Sequence, residues 1–289
     1  MDRVLEYEIP SEYDGANITT VLKRHFKIST NLIKDLKKYK EGIQVNGEHR
    51  RVVDFVAKGD ILKITIRDTA SENIVPTDIP LDIVYEDEDV LVINKPPNMP
   101  THPSMGNYEN SLANGVMYYY KSKGEERVFR AVNRLDKDTS GLMAVAKNSY
   151  IHARLGEEIQ KKELKRKYMC IVCGDVEHDG TVDAPIRRAD GSVINRIVAP
   201  DGQRAVTHYR VIKRYREYTL LEMELETGRT HQIRVHMAYI GHPLVGDWLY
   251  GTENHNIAKR QMLHSCYLCF THPITGQIME FKDEMAEDM

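Results

Sequence analysis

The stretch Val132-Asn-Arg-Leu-Asp-Lys-Asp-Thr-Ser-Gly-Leu-Met-Ala-Val-Ala146 joins a polar segment directly to an apolar one. Residues 142–146 have the composition of a buried strand, and residues 132–141 have that of a loop. Catalytic side chains are often found on loops that a rigid sheet supports. We therefore take residues 132–141, called the catalytic loop below, as the first candidate site.

Asp136 is the candidate catalytic group of this loop. It lies between Arg134 and Lys137, and these cations favour its ionised form. An ionised, positioned carboxylate can act as a nucleophile or base, or stabilise positive charge on a sugar carbon. The alternative is a plain turn in which the side chains of residues 138–141 cap the backbone.

Strand patterns dominate on both sides of this stretch. Predicted strands cover residues 83–85, 90–94, 164–173, 206–216, 218–226, 262–270 and 277–281, and predicted helices cover residues 111–123, 149–161 and 230–240. The helices are interspersed irregularly among the strands. This arrangement favours an α+β class with a mixed, mostly antiparallel sheet.

Residues 1–70 have a pattern of their own. Apolar residues at helical spacing predict two short helices, with Ser29 as the N-cap of the second, and Asn46-Gly47 predicts a tight turn. Residues 71–80 are polar and contain two prolines, so we interpret them as a linker to a larger domain over residues 81–289.

Charge is distributed unevenly along a chain whose net charge is −3. Residues 23–40 contain seven basic residues and one acid, and residues 147–167 contain seven basic residues and three acids. Basic clusters on an acidic chain are typical of nucleic-acid binding, although a solvated helix face would have the same pattern. The first cluster supplies the candidate RNA-binding residues Lys23, Arg24, Lys27, Lys34, Lys37 and Lys38.

Membrane and secretory classes do not fit the sequence. No apolar run approaches the roughly 20 residues of a membrane span. Residues 1–10 contain acidic residues where a signal peptide would be basic and then apolar. The expected location is therefore the cytoplasm.

Two Cys-x-x-Cys pairs, Cys170/Cys173 and Cys266/Cys269, are a pattern typical of zinc sites. Both pairs fall in predicted strands, where positions i and i+3 face opposite sides of the sheet. We therefore predict buried thiols and no metal site.

A second polar segment is Thr227-Gly-Arg-Thr-His-Gln-Ile-Arg-Val-His236. Arg229 precedes a predicted helix, where free backbone amides bind anions, and its side chain could clamp a phosphate or carboxylate. The spacing of His231 and His236 does not match a helical metal site. Tyr168 follows a basic run and is either structural or able to stack on a base or move a proton.

The chain resembles the RluA/RluD family of RNA pseudouridine synthases over about residues 81–281. Arg134-Leu-Asp136 with Thr139-Ser-Gly141 is similar to the catalytic-aspartate motif of that family. Two further sequence blocks of that family have counterparts here. One is similar to the segment 228–236 with the fragments at 241–243, 246–247 and 250–251. The other is similar to the segment 91–96 with His102-Pro103. Residues 1–70 are similar to the small alpha-L RNA-binding domain of many members.

The resemblance implies isomerisation of uridine within ribosomal or transfer RNA, with no metal, nucleotide or redox cofactor. A monomer is the default expectation. Asp136 would be the essential carboxylate, as a nucleophile on the sugar or as a base. Tyr168 would pack on the uracil and assist proton removal from its ring carbon. Arg229 would pair with Asp136, and Arg134 would fill the gap left by the flipped uridine.

Asn133 is a departure from the family pattern, because many members have His at this position. The side chain adjoins the catalytic loop, so the substitution is expected to affect substrate fit.

Two other functions share features with this sequence. A non-catalytic RNA-binding or ribosome-assembly factor would also carry the basic helices. A glycoside hydrolase would need two opposed carboxylates, and the resemblance supplies one.

Overall fold

The computed structural model describes residues 2–67, 73–251 and 257–289. Within them the chain forms a four-stranded sheet near its beginning and a nine-stranded mixed sheet with helices beyond it. The α+β prediction is confirmed.

The first sheet is antiparallel and carries two helices. Its elements in chain order are β1 (Arg3–Glu8), α1 (Ile18–Arg24), α2 (Thr30–Leu36), β2 (Ile43–Val45), β3 (Glu48–His49) and β4 (Ile61–Ile66). The Ser29 side chain caps α2 by accepting from Leu32 N at 3.2 Å, as predicted. Asn46 and Gly47 have φ angles of 52° and 83°, as the predicted tight turn requires.

Strand β1 was not predicted from the sequence. This edge strand is only half-buried, so its apolar alternation is weak. It pairs with β4, and Arg3 lies opposite Ile66. Such a distant pairing leaves no local signal in the sequence.

The second sheet contains the candidate catalytic loop. Its elements and neighbours are β5 (Asp82–Glu86), β6 (Val90–Lys95), α3 (Leu112–Ser122), β7 (Ser140–Ala146), α4 (Ser149–Gln160), β8 (Lys165–Cys173), β9 (Gly180–Asp183), β10 (Ile186–Arg188), β11 (Arg196–Val198), β12 (Val206–Arg214), β13 (Tyr218–Leu225), α5 (Gln232–Tyr239), β14 (Leu263–Thr271) and β15 (Ile278–Lys282). The strand order is β5-β6-β7-β14-β8-β13-β12-β9, with β15 paired to β14. β7 and β14 run parallel and the other pairs are antiparallel, so the mixed, mostly antiparallel prediction is confirmed.

Strand β7 is buried along its whole length and separates two cores. Leu142 and Ala144 pack in one cluster, whereas Met143 and Val145 pack in the other. Successive strand residues face opposite sides of a sheet, so a strand covered on both faces is apolar throughout. This explains why residues 142–146 show no polar alternation.

One of these cores includes the first sheet and its helices. Phe26 packs in the same cluster as Leu155, and the Tyr150 hydroxyl donates to the Phe26 carbonyl at 3.0 Å. Arg3 forms two hydrogen bonds with the buried Asp89, at 2.8 and 2.9 Å. The two sheets therefore share a hydrophobic core.

The predicted linker lies only partly within the described residues, because residues 71–72 fall outside them. Residues 73–80 contain no helix or strand, and they contact α3. Asn114 donates to the Val75 carbonyl at 2.7 Å, and Thr77 N donates to the Asn114 carbonyl at 3.2 Å. None of the described helices has the length and apolar character needed to cross a membrane.

Candidate active site

Two buried side chains fix the backbone of the catalytic loop. Lys95 is fully buried, and its Nζ donates to the carbonyls of Met99 and Lys137 at 2.8 and 3.1 Å. Burial lowers the pKa of Lys95 to about 7. Thr101 Oγ1 donates to the Leu135 carbonyl at 2.8 Å. Asp136, between these contacts, is partly exposed at the cleft.

The arginine that contacts Asp136 is Arg234. Its Nη1 lies 3.4 Å from Asp136 Oδ2, while Nε and Nη2 donate to the fully buried Asp247 at 2.7 and 2.8 Å. The guanidinium also lies over the ring of Tyr250, 5.1 Å from its centroid. Burial lowers the pKa of Arg234, but the hydrogen bonds and negative charges of Asp247 and Asp136 together outweigh it and raise the pKa above its usual value. A permanent cation is thus held beside the carboxylate.

The predicted pairing of Arg229 with Asp136 is wrong. Arg229 is exposed, and its Nε donates to the carbonyl of Arg204 at 3.1 Å on the cleft wall. It lies in the turn before α5, whereas Arg234 is on the buried face of that helix. Arg234 was not predicted as a site residue, although it is part of the segment 227–236 singled out from the sequence.

His231 is a further neighbour of the carboxylate that was not predicted from the sequence. Its Nε2 lies 3.9 Å from Asp136 Oδ2, and its Nδ1 lies 2.8 Å from the Tyr250 hydroxyl. Burial lowers the pKa of His231, although Asp136 opposes this effect. Its φ angle of 58° costs a non-glycine residue about 1 kcal/mol. His236 faces away, and its ring nitrogens contact Thr207 and Ala184.

Tyr168 is buried on β8 and lines the same cleft as Asp136. Burial, and secondarily the charge of Asp136, raises the pKa of its phenol. The ring is therefore neutral at physiological pH. It can offer an apolar face and a donated hydrogen bond, but it is a poor source of phenolate.

Arg134 and Asn133 are adjacent in sequence but differ in environment. Arg134 is exposed and lines the cleft. Asn133 is buried, accepts from Ala144 N at 2.9 Å and donates to the Leu142 carbonyl at 3.4 Å. Both polar ends of Asn133 therefore bind the backbone of β7, and the side chain fixes the start of the catalytic loop.

The cleft around Asp136 has a volume of about 850 Å³ and a basic lining. Two acids, Asp136 and Glu226, face a larger set of cations. These cations are Arg134, Lys137, Lys162, Arg166, Arg204, Arg229 and Arg234. A groove with this excess of positive charge attracts the phosphates of a nucleic acid.

The two basic clusters of the sequence differ in their surroundings. Residues Lys23, Arg24, Lys27, Lys34, Lys37 and Lys38 are all exposed. In the second cluster Lys147 is buried against Glu86, and Lys162 and Lys167 pair with Glu226 and Glu222. Only part of the second cluster therefore contributes positive charge to the cleft.

The four cysteines lie on β8 and β14, as predicted, and none forms a disulfide. Burial raises the pKa of the Cys266 thiol to about 11. In the ranges 2–67, 73–251 and 257–289 no group of three or more metal-ligating side chains is present.

Comparison with known proteins assigns this arrangement to a family. A profile described as RNA pseudouridylate synthase matches residues 89–239, more than half of the chain. An uncharacterized RNA pseudouridine synthase, YjbO of Bacillus subtilis, is 45% identical over 91% of this chain and 93% of its own length. Ribosomal large subunit pseudouridine synthase D of Pasteurella multocida is 40% identical over 85% of this chain and 80% of its own length.

A solved structure supports the same fold. Human RNA Pseudouridylate Synthase Domain Containing 1 superposes with a TM-score of 0.60 over 72% of this chain and 84% of its own, at 24% identity. The resemblance to the RluA/RluD family is thus confirmed. The chain belongs to the RNA pseudouridine synthase family and is an RNA-modifying isomerase.

Proposed function

We propose that this chain converts uridine to pseudouridine in large-subunit ribosomal RNA, with Asp136 as the essential carboxylate. The observation that carries the proposal is a partly exposed carboxylate in a basic cleft, beside a buried arginine and a buried tyrosine. Ribosomal RNA is favoured over transfer RNA because curated relatives at 40–45% identity are named for the large ribosomal subunit.

The reaction breaks the bond between the ribose anomeric carbon and the uracil nitrogen. Asp136 either attacks that carbon or removes a sugar proton to give a glycal, and both routes require the ionised carboxylate. Arg234 keeps Asp136 oriented. The freed uracil rotates and rejoins through carbon five, which then loses its proton to solvent.

The other cleft residues have supporting roles in this proposal. Tyr168 packs on the uracil and donates or relays a proton as a neutral phenol. Arg134 occupies the space vacated by the flipped uridine, since chemistry on a base requires it to leave the stack. Arg229, on the rim, binds a phosphate and does not orient Asp136.

Residues 1–70 act as an alpha-L RNA-binding domain ahead of the catalytic domain at 81–289. The exposed cations of α1, α2 and their flanks support this assignment. We further propose that the protein acts as a monomer in the cytoplasm.

Tritium release from RNA labelled at carbon five of uridine tests the proposal. Wild-type and Asp136→Asn proteins are compared on ribosomal and transfer RNA separately. We expect release by the wild type from ribosomal RNA only, and none by the variant, with RNA binding retained. Binding without release from either RNA would favour the non-catalytic RNA-binding function instead.

A further inference from the structure

The catalytic loop is supported along one side by residues 260–265, called the support segment below. Arg260 Nη1 donates to the Asp138 carbonyl at 3.1 Å, and His264 Nδ1 lies 2.9 Å from Ser140 Oγ. The approach is close at Gly141, where a Cβ atom would lie 2.3 Å from the Ser265 carbonyl oxygen. The support segment therefore contacts the backbone two residues from Asp136.

The two ionisable side chains of the support segment, Arg260 and His264, each contact an acid outside that segment. Residues 283–289, called the strap below, supply both partners. Asp288 accepts two hydrogen bonds from Arg260, one of them at 2.7 Å from Nε. Asp283 Oδ2 lies 3.1 Å from His264 Nε2.

The burial of Arg260 makes its pairing with the half-exposed Asp288 important. Arg260 and His264 have relative exposures of only 6% and 2%. A buried guanidinium without its carboxylate is an uncompensated charge, and the structure relaxes to hydrate it. Because Arg260 donates to the Asp138 carbonyl, that relaxation would be transmitted to the catalytic loop.

We propose that the strap positions the catalytic loop through Arg260, so that Asp288 and Arg260 are positioning residues for Asp136. This inference rests on the proposed catalytic role of Asp136. Asp288 binds Arg260, and Arg260 in turn binds the backbone of the catalytic loop, in each case through a hydrogen bond. Neither Asp288 nor Arg260 lines the cleft itself.

The test compares three full-length variants with the wild type. Asp288→Asn removes the charge and keeps the shape, Asp288→Glu restores the charge, and Glu287→Gln removes the same charge from the adjacent exposed residue. Tritium release gives kcat and RNA binding gives Kd, both with large-subunit ribosomal RNA. Hydrogen exchange of the amides in residues 134–141 is measured separately, without RNA.

We expect Asp288→Asn to lower kcat by about tenfold or more while Kd is unchanged, because small displacements of a catalytic group are costly. Exchange in the catalytic loop should be about tenfold faster. Asp288→Glu should recover most of both effects, and Glu287→Gln should match the wild type.

Unchanged exchange in Asp288→Asn would overturn the proposal, as would faster exchange with unchanged kcat. A fall in kcat of equal size in Glu287→Gln would attribute the effect to surface charge and would also overturn it. If the wild type releases no tritium, the proposed function fails, and the exchange measurement alone decides whether the strap holds the loop.

Discussion

Replacing Asp247 by Asn removes the charge that supports Arg234. Asp247 has no exposed surface, and it accepts from Arg234 at 2.7 and 2.8 Å. An Asn side chain can still accept from the backbone of Leu249 and Tyr250, which now donate at 3.0 and 3.1 Å. The substitution therefore removes the partner charge of a buried guanidinium and the hydrogen bond from Arg234 Nε, because the amide nitrogen of Asn cannot accept it.

The expected magnitude follows from that burial. Removing one partner of a buried ion pair costs about 3–5 kcal/mol. Asp136 lies 3.4 Å from the same guanidinium and offsets part of the cost, so we expect the lower limit, about 3 kcal/mol. At roughly 2 °C per kcal/mol for a protein of this size, Tm should fall by roughly 6 °C.

Thermal and denaturant unfolding of the free protein measure this effect, and Asp190→Asn is the matched control. Asp190 also accepts two hydrogen bonds from one arginine, Arg187, at 2.8 and 3.1 Å, but its side chain is 89% exposed. Exposed pairs contribute little, so its midpoint should not change measurably. Equal midpoints for the two variants would refute the argument that burial makes the Arg234 pair important.

Four further outcomes are expected. Arg234→Gln should lower kcat with RNA affinity retained, whereas Arg229→Gln should lower affinity with kcat retained, as tritium release and filter binding will show. Tyr168→Phe should keep RNA affinity, because the ring face remains, and should lose turnover, because the proposed proton donor is removed. Joint replacement of Lys34, Lys37 and Lys38 by Gln should reduce the slope of log affinity against log salt concentration by about 0.7–0.9 for each phosphate that these lysines neutralise in the wild type. Burial raises the pKa of Glu86, but hydrogen bonds from Lys147, Tyr119 and Lys123 outweigh it and lower the pKa to about 2. The ionised carboxylate therefore stabilises the folded state, and this stabilisation is lost as pH falls from about 4.5 to about 2. Over that range the wild type should lose more stability than Glu86→Gln.

The lysine test uses the full chain because the two sheets share a core. Deleting residues 1–70 would expose the apolar residues that pack against Tyr150 and Leu155, and the loss of RNA binding would then have two causes. Charge replacement at exposed positions leaves this core intact. A salt dependence equal to that of the wild type would show that the basic cluster is a solvated helix face.

Local signals predicted most of the described secondary structure. The apolar strands, the capped helix α2 and the turn at Asn46-Gly47 each depend on neighbouring residues, and each was predicted. The strand β1 and the antiparallel pair of β10 and β11 were not predicted. These strands are only partly buried, so apolar and polar residues alternate weakly along them.

The site was predicted less completely than the fold. Asp136, Tyr168 and Arg134 do line one cleft. The choice between Arg229 and Arg234 depends on where α5 begins, and the helix was predicted to begin two residues early, at 230 instead of Gln232. The contact between Arg234 and Asp247 also requires the fold, because spacing along the chain does not show which carboxylate a guanidinium meets.

The loose contact between Arg234 and Asp136 suits a reactive carboxylate better than a tight pair would. Arg234 uses its two shortest hydrogen bonds on Asp247, so its position does not depend on Asp136. Arg234 and His231 both contact the Oδ2 atom of Asp136, at 3.4 and 3.9 Å. Neither of these two contacts involves Oδ1, so this oxygen can approach the substrate. A bidentate pair would occupy both oxygens and stabilise the free carboxylate against reaction. The cation can thus orient Asp136 while the second oxygen stays free for the proposed reaction with the ribose.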